Sequence, residues 1–250
     1  MMVEFASGSN NYTNSYCHKD YDFEKKYQVF YRRKNILELL SYYKHNSILE
    51  VGCALEPLFK YIDMKDIDTY VIVEPSKTFY ENAKKIANDK IEIYNDYIEN
   101  INLNIKFDYI IISGLLHEVP NPEETLKTIK NFMNNDTILY INVPNAKSFH
   151  RLLAYESSLI NSIYEKSDTQ KILQQFYTFD IQSMRNLLES LDFEVLKTGS
   201  YFLKPFSHKQ MKNLVDNKII NDQILDGLHK MIKYFPEFGS EIYLICKNLK

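Results

Sequence analysis

The sequence predicts an α/β fold in which helices cover both faces of a parallel sheet, and three observations predict it. From Ile48 onwards, short apolar runs alternate with segments whose apolar residues recur at helical spacing, which is typical of βαβ units. The run 48–51 leads into a turn at Gly52. The run 70–73 leads into Glu74, about 20 residues after the first acid and glycine. This spacing is typical of a βαβ unit that binds the nucleoside part of a cofactor.

Each apolar run defines one predicted element. Strands are predicted at 48–51, 70–73, 91–94, 107–113 and 137–143, with helices between them at 56–62, 77–87 and 123–133. Pro122 followed by two glutamates is a favourable helix start, because proline fits the first turn and acids favour its positive end. One or two further helices are predicted within 21–43, before the first strand.

The pattern changes after residue 143. It predicts helices at 146–164 and 180–191, a polar helical insert at about 207–235, and strands at 193–202 and 241–246. Asp180 is suited to cap the helix that follows it. No internal repeat divides the chain, so we expect one domain over 46–250, with cap helices at about 146–180 and 203–238. Residues 1–45 are expected to form an N-terminal arm and helical lid.

The composition argues against several classes of protein. The 250 residues are 45% hydrophobic, which is enough to bury a full core. The net charge of −3 gives no general attraction to nucleic acid or an anionic membrane, and no apolar run reaches the roughly 20 residues of a membrane span. Cys17, Cys53 and Cys246 lie far apart, which argues against a disulfide framework or a cysteine zinc site and suits a cytoplasmic protein. We expect no metal and a monomer or homodimer.

The turn after the first strand indicates which cofactor fits. It reads Gly52-Cys53-Ala54-Leu55-Glu56-Pro57, with one glycine where a dinucleotide site has three. Gly52 allows the backbone to approach a ligand closely, whereas Glu56 disfavours a pyrophosphate. Glu74 can accept hydrogen bonds from both hydroxyls of a ribose. A nucleoside cofactor that has cationic groups and no phosphate therefore fits better than NAD, and an NAD-dependent oxidoreductase is the less favoured alternative.

Four local motifs lie at the predicted strand ends. They are Glu50-Val51-Gly52-Cys53-Ala54, Val71-Ile72-Val73-Glu74-Pro75-Ser76, Ile93-Tyr94-Asn95-Asp96-Tyr97 and the segment 107–122, which contains Leu115-Leu116-His117-Glu118-Val119-Pro120. With the order of elements, these motifs resemble the class I S-adenosylmethionine-dependent methyltransferases over about residues 35 to 246. The resemblance implies a Rossmann-like, seven-stranded, mostly parallel sheet with an antiparallel last strand. It also implies S-adenosylmethionine as cofactor and S-adenosylhomocysteine as product.

The resemblance implies a set of cofactor contacts. They are Glu50, Gly52, Ala54, Glu74, Pro75, Asp96, Tyr97, Ser113 and Gly114. Asp96 is expected to bond the adenine amino group, with capping of a turn as the alternative, and Tyr97 is expected to pack on the ring. The family usually has further glycines where this chain has Ala54 and Glu56. Ala54 adds only a methyl group, whereas Glu56 either alters how the methionine end is held or favours its ammonium group.

Two histidines are candidate catalytic bases. His117 follows the strand whose end would face the methyl group, and histidine titrates near neutral pH. Its neighbour Glu118 competes for the same role. His150 follows the fifth strand, on the side of the sheet where acceptors bind.

Several basic side chains are candidates for binding the acceptor. Arg151 offers a planar guanidinium suited to phosphate or carboxylate, and Lys147, Lys204, His208 and Lys209 lie near it in element order. The alternative is a solvated basic helix face. Tyr12 and Tyr16, from the N-terminal arm, are expected to close over the acceptor.

The predicted function is methyl transfer to a small polar acceptor, on an oxygen of a sugar, a nucleotide-linked compound or a phosphorylated intermediate. N-methylation of a small amine is one alternative. A catalytically silent partner protein with the same fold is another, because the glycine turn is altered at Ala54 and Glu56.

Overall fold

A seven-stranded sheet forms the centre of the computed structural model, which describes residues 22–167, 170–171 and 175–249. Its strands are β1 (Ser47–Val51), β2 (Thr69–Val73), β3 (Ile91–Tyr94), β4 (Tyr109–Ser113), β5 (Ile138–Pro144), β6 (Phe193–Tyr201) and β7 (Glu241–Asn248). They lie in the order β3-β2-β1-β4-β5-β7-β6, and β7 runs antiparallel to both of its neighbours while the other adjacent pairs are parallel. The predicted mostly parallel, Rossmann-like sheet with an antiparallel last strand is confirmed.

Seven α-helices surround the sheet in the described part of the chain. They are α1 (Val29–Leu40), α2 (Lys77–Lys84), α3 (Pro122–Lys130), α4 (Phe149–Glu156), α5 (Ile181–Ser190), α6 (His208–Asp216) and α7 (Asp222–Lys230). A π-helical turn, Glu24–Gln28, leads into α1. Asp180 caps α5 as predicted, since its carboxylate accepts a hydrogen bond of 2.7 Å from the backbone N–H of Ser183.

The strands bury side chains on both faces, as expected for a sheet between two helical layers. On one face, Ile48, Tyr70 and Tyr140 lie in a core that includes residues of α1, α6 and α7. On the other, Leu49 and Leu139 lie in a core that includes residues of α3 and α5. The predicted helices on both faces are therefore confirmed.

The strand order reverses between β1 and β4, which places three predicted site segments at one edge. Val51 is in register with Val73 on one side and with Ile112 on the other. The residues that follow these positions, Gly52 and Glu74 among them, therefore lie side by side. In open α/β sheets, ligands bind at the carboxyl ends of the strands where the order reverses.

The segment 56–62 is not the predicted α-helix. It contains a 3-10 turn, Leu58–Tyr61, followed by another, Met64–Asp66. Pro57 is extended, with ψ of 148°, and the N–H of Leu58 donates to the carboxylate of Glu50 at 3.0 Å. The chain enters this segment tied to a buried acid of β1, so an α-helix does not start at residue 56.

The helix predicted at 146–164 is shorter, because α4 ends at Glu156. Ser158 adopts a left-handed conformation with φ of +55°, and the N–H of Leu159 turns back to the carbonyl of Ala154 at 2.9 Å. The insert at 207–235 is similarly split into α6 and α7, with Lys218 at φ of +57° between them. Among the helices described, none is long and apolar enough to cross a membrane.

Candidate functional site

The glycine turn after β1 is fixed by the acid that follows β2. Gly52 has φ of +78° and Ala54 has φ of +50°. One carboxylate oxygen of Glu74 accepts hydrogen bonds from the backbone N–H groups of Cys53 at 3.0 Å and Ala54 at 3.1 Å. The other accepts from Ser76 N–H at 2.8 Å. Burial, which leaves Glu74 4% exposed, raises the pKa of its carboxyl, and the three backbone donors oppose that shift.

Glu50, in β1, holds the segment that follows the glycine turn. Its carboxylate accepts hydrogen bonds from the hydroxyl of Tyr70 at 2.7 Å and from the N–H of Leu58 at 3.0 Å. Burial raises the pKa of Glu50 to about 7, against the effect of these hydrogen bonds. Through these contacts Glu50 positions the turn and the segment after it.

The end of β3 adds a polar surface beside Glu74. Asp96 accepts hydrogen bonds through Oδ1 from Tyr97 N–H at 2.8 Å and from the Asn100 amide at 2.6 Å. Within the described residues, its Oδ2 accepts no hydrogen bond. Tyr97 is 48% exposed. Asn95, which the sequence analysis missed, donates its amide to the carbonyl of Glu74 at 2.9 Å and so joins the ends of β2 and β3.

Glu56, at the third family glycine, is held by side chains around it. Its carboxylate lies 2.9 Å from both the Lys60 ammonium and the Arg33 guanidinium, and it accepts a hydrogen bond from the hydroxyl of Tyr61 at 2.8 Å. The hydrogen bond from Lys60 is the main cause that lowers the pKa of Glu56, to about 2. The carboxylate is therefore ionised and already paired with two cations.

The end of β4 lies next to a partly buried arginine, Arg32. Gly114 has φ of +66°, and its N–H donates to the carbonyl of Asn142 at 2.9 Å, which continues the β4–β5 pairing. A Cβ atom at Gly114 would lie 3.5 Å from Nη1 of Arg32. Arg32 therefore approaches the backbone at the point where the predicted cofactor contacts Ser113 and Gly114 end β4.

His117 and Glu118 form a buried pair after β4. His117 is 4% exposed, and its Nε2 lies 3.4 Å from Oε1 of Glu118. The same Oε1 accepts a hydrogen bond from the Gln175 amide at 3.2 Å. The Nδ1 atom of His117 is buried and has no hydrogen-bond partner in the described part of the chain. A carboxylate at one ring nitrogen and an unpartnered second nitrogen form an arrangement that can accept a proton.

A partly buried ionic cluster, which we call the Arg32 cluster, lies beside this pair. Its members are Glu24, Arg32, Asn142, Tyr201 and Glu241. Arg32 binds Glu241 through two nitrogens, with Nε at 2.9 Å from Oε2, and its Nη2 also lies 3.4 Å from Glu24. Asn142 and Tyr201 donate to the same carboxylate of Glu241. Burial opposes ionisation of Glu241, but the Arg32 charge holds its pKa below the ordinary value.

Sequence reasoning missed the Arg32 cluster. Arg32 and Glu241 are 209 residues apart, and no local motif joins them. The sequence gives one indication of their role: Glu241 opens a predicted strand and Arg32 lies in a predicted helix, so both residues are expected to be ordered.

The predicted basic group around α4 is divided by the fold. Arg151 donates to the carbonyls of Ile163, at 2.8 Å, and Glu165, and to the Gln170 side chain at 3.1 Å. Its guanidinium therefore holds the loop after α4 in place, which limits the donors it can offer to a ligand. Lys147 is likewise paired, 2.8 Å from Asp180.

Of the remaining basic groups, Lys209 is exposed, whereas Lys204 is largely buried. Lys204 is 4% exposed, and burial lowers its pKa to about 7. His150 and His208 both have pKa values well below the ordinary value, because of burial first and the positive charge of Lys204 next. Both rings are therefore neutral at pH 7. His150 lies in the first turn of α4, and its buried Nδ1 has no partner among the residues described.

The structure thus brings the predicted cofactor residues to one edge of the sheet, from the glycine turn to the end of β4. His117 and His150 flank this edge, from β4 and from α4. Tyr12 and Tyr16 lie outside the described residues. The predicted division into an arm over 1–45 and a domain over 46–250 stays a prediction.

Comparison with known proteins identifies the family. A model of the methyltransferase domain matches residues 23–198, so the chain belongs to that family and its predicted membership is confirmed. The family uses S-adenosylmethionine, which confirms the predicted cofactor at the level of the family. A comparison with curated proteins found no significant match.

Solved structures of low sequence identity share the fold. The plantazolicin methyltransferase BamL, solved with a desmethylplantazolicin analogue and S-adenosylhomocysteine, is 16% identical with a TM-score of 0.63, covering 97% of each chain. An S-adenosylmethionine-dependent methyltransferase from Mesorhizobium loti is 9% identical with a TM-score of 0.58, over 85% of this chain and 96% of that one. The cyclase SpnF is also 9% identical, with a TM-score of 0.55 over 86% and 80% of the two chains.

Proposed function

We propose that this chain transfers a methyl group from S-adenosylmethionine to an oxygen atom of a small polar acceptor. One observation carries the proposal: the buried carboxylate of Glu74 lies against the left-handed turn of Gly52 and Ala54, where strand order reverses. A carboxylate in this position suits the hydroxyls of a ribose.

The hydrogen-bond acceptors at this edge fit the nucleoside. Glu74 uses three of the roughly four acceptor positions of a carboxylate on backbone amides, so at most one ribose hydroxyl can bond to it, not the two that the sequence suggests. Oδ2 of Asp96 can accept from the adenine amino group, and Tyr97 offers an exposed ring to the base. Pro75 is exposed beside them. When bound, S-adenosylmethionine supplies a methyl group activated by its sulfonium charge.

The His117–Glu118 pair supports an oxygen acceptor. A hydroxyl must lose its proton as it attacks, and Nδ1 of His117 can take that proton while Glu118 stabilises the charged ring. The chain's further task is to align the acceptor and exclude water. Lys204, which is 4% exposed and forms no ion pair within the described residues, suits an anionic group on the acceptor, as in a phosphorylated sugar or a nucleotide-linked intermediate.

N-methylation of an amine is a second candidate, which the three glutamates near this site favour. Glu24, Glu118 and Glu241 come from distant parts of the sequence to one region of the folded structure, and carboxylates attract an ammonium group. An amine acceptor needs no base once it is unprotonated. His117→Asn therefore separates the two: we expect a kcat loss of about 100-fold or more for a hydroxyl acceptor, and a much smaller loss for an amine.

Calorimetry with S-adenosylhomocysteine tests the cofactor site directly. We expect the wild-type chain to bind it and Glu74→Ala to lose that binding, while Glu92→Ala, an exposed acid on the neighbouring strand, keeps it. Equal binding by Glu74→Ala and wild type would refute the placement of the ribose. Binding without turnover of any acceptor would instead favour a catalytically silent protein of this fold.

A further inference from the structure

A segment that follows the cap is bound to the loop that carries His117. We call this segment, residues 175–177, the strap. The backbone N–H groups of Phe176 and Tyr177 both donate to the carbonyl of His117, at 2.8 and 3.2 Å. The hydroxyl of Tyr177 donates to the carbonyl of Pro120 at 3.0 Å. The strap therefore fixes the backbone of His117 from outside its own loop.

The first residue of the strap also reaches the acid beside His117. The side-chain amide of Gln175 donates to Oε1 of Glu118 at 3.2 Å, and the same oxygen lies 3.4 Å from Nε2 of His117. The side chains of His117 and Glu118 are each 5% exposed, and Gln175 is 8% exposed. Water screens polar contacts poorly in such a place, so a single donor has a strong influence on where the carboxylate points.

The backbone of Gln175 is itself held from the cap. Its N–H donates to the carbonyl of Gln170 at 2.9 Å. The side-chain oxygen of Gln170 accepts a hydrogen bond from Arg151 at 3.1 Å, and its amide donates to the hydroxyl of Thr178 at 3.4 Å. These contacts hold the amide of Gln175 in position to bind Glu118.

The position of the Glu118 carboxylate decides which nitrogen of His117 carries the proton. A neutral imidazole has one N–H and one lone pair, and the hydrogen bond of one nitrogen sets the state of the other. A carboxylate only accepts hydrogen bonds, so Glu118 beside Nε2 favours the proton on that nitrogen. Nδ1, which is buried and has no partner among the described residues, then keeps the lone pair.

We propose that Gln175 is a positioning residue, which holds the Glu118 carboxylate against Nε2 of His117 and so keeps the lone pair on Nδ1. The inference rests on the proposed function only in naming His117 as the base. In the reaction, the acceptor oxygen bonds to the methyl carbon as the carbon–sulfur bond breaks, and the hydroxyl proton passes to Nδ1. Gln175 acts through Glu118 and makes no contact of its own with the reacting atoms.

The wild-type chain gives a test that does not depend on the folding of any variant. The ¹⁵N NMR signals of the His117 ring are recorded at pH about 8.5, above the ordinary titration range of histidine, and are assigned by their absence in His117→Asn. We expect the proton on Nε2 and the lone pair on Nδ1. A ring that carries its proton mainly on Nδ1 would overturn the proposal.

A matched pair of glutamine variants tests the role of the amide. Gln175→Met keeps an unbranched side chain in the buried position, and the backbone hydrogen bonds of the strap do not involve the amide. We expect the ratio of the two His117 tautomers to shift about 10-fold toward Nδ1–H, so that the two nitrogen signals move toward each other. Gln182→Met makes the same change at an exposed position of α5 and should leave them in place. His117 signals that are unchanged in Gln175→Met would refute the positioning role.

A variant of Glu118 tests whether Gln175 acts through that carboxylate. Glu118→Met removes it, and we expect the His117 tautomers to shift in the same direction as in Gln175→Met. Adding Gln175→Met to Glu118→Met should then cause no further shift, because the group that Gln175 positions is gone. A further shift of similar size would contradict the proposal.

Calorimetry with S-adenosylhomocysteine on the same samples separates this proposal from the proposed function. We expect wild type and Gln175→Met to bind it equally, since the amide of Gln175 serves the base rather than the cofactor. Binding without any effect of Gln175→Met on the His117 signals refutes the positioning role and leaves the methyltransferase function standing. The tautomer shift without binding supports the positioning of His117 and refutes the proposed function.

Discussion

Glu50 makes the stability of this fold depend on pH in a direction opposite to that of an ordinary surface acid. Burial raises the pKa of its carboxyl from 4.5 to about 7, although Tyr70 and Leu58 donate hydrogen bonds to it. Between these two pH values, the folded chain binds a proton that the unfolded chain has released. The free energy of unfolding therefore falls as the pH rises from about 4.5 through about 7.

Glu50→Gln removes this dependence. A shift of one pKa unit corresponds to about 1.4 kcal/mol, so a rise from 4.5 to about 7 amounts to about 3 kcal/mol. The glutamine amide changes the hydrogen bonds that Tyr70 and Leu58 make with this side chain. This change lowers the free energy of unfolding by an amount that is the same at every pH. We expect the stability of the variant, relative to wild type, to improve by about 3 kcal/mol between pH about 4 and pH about 8.

Urea unfolding of both chains at each pH measures this difference, and Glu92→Gln is the control. Glu92 is exposed on β3, so its replacement should give a difference that hardly changes with pH. The reasoning about Glu50 fails if the Glu50→Gln difference is flat over this range, or if the variant gains stability toward low pH. The first result would mean that water reaches the Glu50 carboxylate, and the second that its pKa is lowered.

Three further predictions concern the glycine turn, the N-cap of helix α5 and the Arg32 cluster. Gly52→Ala is expected to destabilise the chain by about 1 kcal/mol in thermal unfolding and to weaken S-adenosylhomocysteine binding, because φ is +78°; unchanged affinity would show that the turn tolerates a side chain. Asp180→Ala should cost about 1 to 2 kcal/mol, since it loses the cap of α5, whereas Lys147→Ala, which removes only the exposed partner, should cost less than 1 kcal/mol. Arg32→Met should cost about 3 to 5 kcal/mol in urea unfolding by leaving Glu241 buried and unpaired, and a loss below 1 kcal/mol would contradict the pairing.

Strand and helix positions were largely predictable because each is encoded locally. The strands between 47 and 144 are apolar runs bounded by turns, and the structure places them within one or two residues of the prediction. The prediction of an α-helix at 56–62 was wrong because of a contact outside this segment. The N–H of Leu58 donates to Glu50, and Pro57 is extended. A helical pattern cannot report that a buried acid, eight residues earlier, holds the chain.

The candidate site divides in the same way. The predicted cofactor residues follow strand ends, and strand order places Gly52, Glu74 and Gly114 at one edge, so the sequence motifs were enough to predict that these residues lie together. The acceptor side was harder to predict. Arg151 looked like an anion ligand but holds the loop after α4, while Lys204 became the buried cation.

The sequence by itself determined the order of elements, the glycine turn and the acid that follows β2, because periodicity and spacing within about 30 residues encode a βαβ unit. Only the tertiary structure decided which charges meet. Arg32 reaches Glu241 across 209 residues, and the His208 ring lies 3.5 Å from the carboxylate of Glu24. Electrostatic partnership depends on distance in space and on burial, and both are set once helices and strands have packed.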